Sequence, residues 1–346
     1  MRTPPANGPD SPGIPPLALR RMLAASRRQF VTAAVLLFTL VAVSIANPAF
    51  LSGQNLRDLL VQSAPVVIVG CGMTLVILIG EIDISVGSLL GLLAALMGVL
   101  ASPQRLGLPI PLVIAGVLVA GAAIGLLNGL LVTRGRVPSI IATLGMLTVL
   151  RGVTELVMGG EWITNLPPSL RWFGTGSSLG FPFSLWVAAA VAMAIFALAR
   201  FAPLGIRILA IGGNPDAAAI ARISVPRTKL LVFALVGLLT GVAAVIAVPQ
   251  QSVIESGIGA GFELVVVTAV VVGGTSIRGG YGGVVGTILA ALLLGSIRTT
   301  LVFLDLGESA VYWERAIQGA FILVAVLADH LASRPGPDDS LAGARA

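Results

Sequence analysis

Apolar residues in this chain come in long stretches separated by short polar gaps, from Phe30 to about His330. A helix needs about 20 mostly apolar residues to cross a bilayer. Runs of that kind lie at 29–46, 59–80, 84–101, 110–132, 137–158, 183–202, 228–249, 262–275, 282–304 and 311–330. The pattern predicts an all-α fold, a polytopic transmembrane helix bundle of about ten spans. Two irregularities interrupt it. The run 262–275 is short for a span, and the gap between 80 and 84 is tight for an ordinary turn. Non-helical backbone at membrane depth is tolerated only where it lines a cavity or is buried in protein.

The gaps orient the chain. Arg20, Arg21, Arg27 and Arg28 precede the first run, and Arg134, Arg136, Arg207, Arg222, Arg227, Lys229, Arg278 and Arg334 fall in alternate gaps after it. The other gaps hold only Arg57, Arg105 and Arg171. The positive-inside rule puts the first set in the cytoplasm, and both termini with it. The loop 159–182, with Trp162 and Trp172, is then outside. Residues 1–28 are expected to be a disordered cytoplasmic tail, 29–330 the transmembrane domain and 331–346 a second cytoplasmic tail. The first run lacks the short apolar core and cleavage site of a secretory signal and is expected to stay as a span.

There is a hint of internal duplication. Val86-Gly87-Ser88-Leu89-Leu90-Gly91 echoes Val285-Gly286-Thr287-Ile288-Leu289-Ala290, and each follows a Gly-bearing break. Matched broken segments in two halves point to a translocation site.

Composition agrees with the pattern. Of 346 residues 56% are hydrophobic and 10% charged, against about 25% charged in a soluble domain. The 42 glycines suit close helix packing in lipid. The net charge of +6 does not imply nucleic acid, because the cations sit in the gaps. A single cysteine, Cys71, and a single histidine, His330, leave no disulfide and no metal or catalytic-histidine set. Lys229 is the only lysine, and no Gly-Lys-Ser/Thr stands beside it, so the phosphate-binding loop of an ATPase is absent.

Three groups carry chemistry. Glu81 and Asp83 lie between strongly apolar runs, where Asp83 either caps the following helix or faces a path. Arg151 and Glu155, four apart, share one helix face, as a compensated pair or a gating contact. The longest cytoplasmic gap, 203–227, contains Asn214-Pro215-Asp216 followed by alanines. That is an N-cap, a first helical residue and an acidic first turn. It predicts a short projecting helix suited to a groove on a partner.

Several segments resemble permease subunits of binding-protein-dependent ABC importers for monosaccharides, the ribose, xylose and galactose group. They are Glu81 to Ser88; Asn128-Gly129-Leu130-Leu131-Val132-Thr133 leading to Val137-Pro138 and Ile141-Ala142-Thr143-Leu144-Gly145; Gly213-Asn214-Pro215; and Val272-Gly273-Gly274-Thr275-Ser276 with Gly279-Gly280. The resemblance runs from about residue 60 to 330. It implies a permease in the cell inner (cytoplasmic) membrane, working as a homodimer or beside a close paralogue. An ABC ATPase subunit and a periplasmic or extracellular sugar-binding protein would be its other partners, with lipid around it and no nucleic acid. ATP would be hydrolysed by the partner, with no cofactor bound by this chain and no covalent chemistry. Candidate path residues are then Glu81, Asp83, Ser85, Asn128, Thr143, Arg151, Thr275, Ser276 and Arg298. Asn214, Pro215, Asp216, Ala218, Ala219 and Arg222 would couple to the ATPase. Three places depart from the family's pattern: Glu81 and Arg222 where Gly is usual, and Arg298-Thr299-Thr300 in place of Asn-Asn-Gly. Arg298 is expected either to pair with Asp305 or Glu308 or to face the path, in which case the substrate carries an acidic group or differs from a simple pentose. The rival readings are a permease for nucleosides or branched-chain amino acids, and an ion-driven secondary transporter using Glu81 and Asp83.

Overall fold

The computed structural model describes residues 16–164, 166–305 and 307–332. Among them are thirteen α-helices: α1 (Pro16–Ala46), α2 (Gly53–Leu78), α3 (Val86–Ala101), α4 (Ile110–Thr133), α5 (Ser139–Met158), α6 (Pro168–Thr175), α7 (Phe183–Phe201), α8 (Pro203–Gly213), α9 (Pro215–Ile220), α10 (Val225–Ala247), α11 (Phe262–Val272), α12 (Val284–Phe303) and α13 (Ala310–Ala332). The strands are one two-residue pair, Ser177–Ser178 with Phe181–Pro182. Every expected apolar run becomes a helix, and seven helices are long and apolar enough to cross a membrane. The expected tail 1–28 is corrected in part, since α1 begins at Pro16. Residues 1–15 and 333–346 of the two expected tails lie outside the described residues.

Burial decides the layout. In α2, 78% of the spanning window is buried, whereas in α1 the figure is 11%. The central helix is therefore α2, with α7, α10, α11 and α12 packed around it. The most intimate crossing is α4 on α10. Gly121 and Gly125, spaced four apart, face Gly237, and a Cβ on Gly125 would lie 2.3 Å from the Phe233 carbonyl oxygen. Hydrocarbon gives no hydrophobic drive between helices, so this approach of bare backbones supplies the van der Waals contact that holds them.

The packing repeats. α2 lies on α12 as α10 lies on α4; α3 lies on α4 and α5 as α11 lies on α12 and α13. α2 ends beside the last turn of α8, where the Leu78 carbonyl lies against Gly212, whereas α10 starts close by, just after α9. The halves α2–α5 and α10–α13 thus run in opposite senses, an inverted repeat. This corrects the match suggested by the sequence echo, which equates α3 with α12. The packing equates α3 with α11. The echo arises because Gly87 and Gly286 each start a helix against foreign backbone, at Gly259 and Gly273 respectively.

α3 and α11 are the two short members. Their 16 and 11 residues extend only about 24 and 17 Å, short of the about 30 Å hydrocarbon core. Each is completed by a non-helical stretch, 79–85 before α3 and 251–261 before α11.

Candidate functional site

The stretch 79–85 runs along the start of α5. The Ile82 N–H donates to Ser139 Oγ and the Ile84 N–H to Thr143 Oγ1, each at 3.2 Å. The hydroxyls satisfy donors that a helix would have satisfied internally. Asp83 is 1% exposed. Its Oδ1 accepts from the Ser85 N–H at 2.9 Å and from Ser85 Oγ at 2.6 Å. Asn128 Nδ2, from α4, donates to Asp83 Oδ2 at 3.2 Å and to Ser85 Oγ at 2.8 Å. Four of the candidate path residues, Asp83, Ser85, Asn128 and Thr143, are thus brought together as a buried hydrogen-bonded tie. Asp83 does not cap α3 as expected. The N-cap of that helix is Ser85, which makes no side-chain cap, and the carboxylate accepts one residue before the helix begins. Glu81 pairs instead with Lys229 on α10, 148 residues away.

The end of α2 meets two other turns. The Gly280 N–H donates to the Leu78 carbonyl at 2.9 Å. A Cβ on Gly212 would lie 1.8 Å from that same oxygen and 2.5 Å from the Gly280 nitrogen. The last turn of α8 therefore rests backbone to backbone on both breaks. Thr275 and Ser276 shape the 273–283 turn: the Ser276 N–H donates to the Tyr281 carbonyl at 3.0 Å and Ser276 Oγ accepts from the Arg278 N–H at 3.3 Å.

The predicted projecting helix is present as α9. Asn214 Oδ1 accepts from the Ala217 N–H at 3.0 Å, Pro215 opens the helix and Asp216 lies in its first turn. Arg222 leaves it with φ of 60°, the left-handed exit that glycine usually fills. Ala218 is a correction. It is 3% exposed and packs into the bundle, because only one face of so short a helix can point outward. Ala219 and Ile220 point outward, and Ile220 is 85% exposed.

At the other end, Arg151 does not take Glu155 as a partner. Its Nη1 donates to the carbonyls of Ser256 and Ile258 at 3.2 and 2.9 Å and holds the stretch before α11 in place, while Glu155 is exposed. A Cβ on Gly87 would touch Glu263 Oε2 in the first turn of α11, so α3 and α11 begin against one another inside the bundle. Arg298 lines a cavity of about 350 Å³ between α2, α10, α11, α12 and α13. Its Nε lies 4.0 Å from Glu314 Oε2, in place of the expected Asp305. The side chain of Glu308, the other expected partner, lies outside the described residues. The reason is geometric: α13 folds back along α12, which brings Glu314, one turn into α13, level with Arg298. Sequence reasoning missed Glu314, Gln62 and Gln318, although polar residues inside apolar runs are the ordinary signal of a path.

Residues 55–326 match the family described as branched-chain amino acid transport system / permease component. The chain is 38% identical over 308 residues to a ribose import permease protein of Haemophilus influenzae, covering 88% of this chain and 93% of that protein. It is 34% identical over 297 residues to the L-arabinose ABC transporter permease protein of Azospirillum brasilense, 85% of each. It is 35% identical over 301 residues to the autoinducer 2 import system permease protein of an Enterobacter strain, 86% of each. No solved structure gives a significant match.

Proposed function

We propose, from the premise that the chain belongs to the permease-component family of branched-chain amino acid transport systems, that it is the membrane subunit of an ATP-driven monosaccharide importer. Its relatives carry the choice of cargo, since the chain matches, over most of their length, permeases for ribose, arabinose and autoinducer 2. The observation that carries the drive is α9, a capped helix with an exposed isoleucine, in a chain that has no phosphate-binding loop. Energy enters through protein contact at α9. The partners are an ATPase subunit, a substrate-binding protein and a second permease copy, in the inner membrane, with α9 and both termini in the cytoplasm.

The arrangement offers a route for the stroke. A push on α9 reaches Gly212, and Gly212 bears on the ends of both broken elements at Leu78 and Gly280. A ligand or partner shifts such an equilibrium only by binding its two states unequally. The ATPase must therefore grip α9 more tightly in one state.

Two measurements test this reading. In liposomes, the purified chain with its ATPase and binding protein should concentrate a radiolabelled pentose when ATP is supplied. The chain alone should not do so under a proton or sodium gradient, and uphill uptake by it alone would overturn the reading. For orientation, Cys71 is buried and leaves little background. A cysteine at Ser178 should react with an impermeant maleimide added outside whole cells, and one at Asp216 only after lysis. Reaction of both from the same side would sink the assignment.

A further inference from the structure

We infer that the cavity beside Arg298 is a transit site for an uncharged sugar ring, in which Glu314 neutralises Arg298 and so keeps anionic sugars out. This rests on the reading of the chain as a monosaccharide permease, and deepens it. The cavity, about 350 Å³, is at the small end of the about 300–1,000 Å³ usual for ligand sites. Its lining is divided. Phe262, Leu90, Val265 and Leu294 form an apolar part, at the starts of α3 and α11 and on α12. Gln62 on α2, Gln250 after α10, and Arg298, Glu314 and Gln318 on the α12–α13 side form the polar part.

Three of these polar groups are joined in a row. Gln318 Nε2 donates to Glu314 Oε1 at 3.2 Å, and Arg298 Nε lies 4.0 Å from Glu314 Oε2. One cation, one anion and several amides give a wall with no net charge but many donors and acceptors. A pyranose or furanose has the complementary form: a C–H face for the Phe262 ring and a rim of hydroxyls that both donate and accept. A phosphate or carboxylate on the sugar would reach Arg298 only beside Glu314, whose carboxylate lies 4.0 Å from the same guanidinium, and like charges at close range repel. The Arg298 departure from the family's pattern therefore does not call for an acidic substrate, because Glu314 compensates it.

Site occupancy can be read without transport. In the assembled transporter, Gln62→Cys at the cavity should react with a methanethiosulfonate reagent, against a background limited to buried Cys71. D-ribose should slow that reaction, and D-ribonate should not. Adding Glu314→Gln should let D-ribonate protect, and should weaken protection by D-ribose roughly tenfold, the loss of a hydrogen bond to a charged group. Adding Arg298→Gln instead should leave D-ribonate without effect. Equal labelling rates with and without D-ribose in Gln62→Cys, while the same preparation still imports sugar with ATP, would overturn the site and spare the permease reading. D-ribonate protection that does not change with Glu314→Gln would overturn the charge rule. Absence of ATP-driven pentose uptake by the wild-type system reports separately on the function.

Discussion

Ile220→Glu is expected to abolish ATP-driven uptake while the chain still accumulates in the membrane at its normal level. Ile220 closes α9 and is 85% exposed, so folding of this chain does not depend on what it touches. A surface substitution of that kind changes stability by no more than about 0.5 kcal/mol. An exposed apolar side chain at the tip of a projecting helix is, however, the kind of anchor that fills a pocket on a partner. Losing such an anchor costs about 2 kcal/mol or more of binding, and placing a charge in the pocket adds its desolvation. Co-purification of the ATPase, or its stimulation by the permease, should fall by at least about thirtyfold. Ala219→Trp should behave in the same way, because Ala219 shares the outward face. Ala218→Glu should fail differently: Ala218 is 3% exposed, so the charge lands inside the bundle and the protein itself is lost. Normal ATPase stimulation and uptake in both Ile220→Glu and Ala219→Trp would reduce α9 to a connector.

Reversing the Glu81–Lys229 pair is expected to be nearly as severe, and to be repaired by reversing both. The side chains are 12% and 21% exposed, and they tie the stretch 79–85 to the first turns of α10, just after α9. Breaking a buried pair by changing one partner costs about 3–5 kcal/mol, because the remaining charge is left without compensation. The partial exposure of Lys229 puts this case at the low end, about 3 kcal/mol. Glu81→Lys and Lys229→Glu should each lower the melting temperature of the solubilised chain and stop uptake. The double variant restores opposite charges at the same place, so it should recover most of both. A double variant no better than either single one would show that the pair neither holds the break nor transmits motion.

The sequence by itself determined the class of the protein and the positions of its helices. The reason is the solvent: in lipid a span must be long, apolar and hydrogen-bonded within itself, and each of these demands is written locally. The α9 helix was legible for a related reason, since Asn214, Pro215 and Asp216 act within one turn of each other. What the sequence left undecided depends on residues far apart along the chain. Glu81 finds Lys229, Asp83 finds Asn128, Arg151 finds the carbonyls of Ser256 and Ile258, and Arg298 finds Glu314. None of these partners lies at helical spacing, which is why Glu155 and Asp305 were the natural guesses and were displaced. The inverted repeat was hidden by the same cause. Glycines recur wherever backbones cross closely, so the local echo at Val86 and Val285 reported a shared packing need. The true correspondence, α3 with α11, exists only in how each short helix is completed by non-helical chain and packed between its neighbours. Tertiary structure alone decided which face of α9 looks outward, because six residues make less than two turns and the bundle covers one side of them.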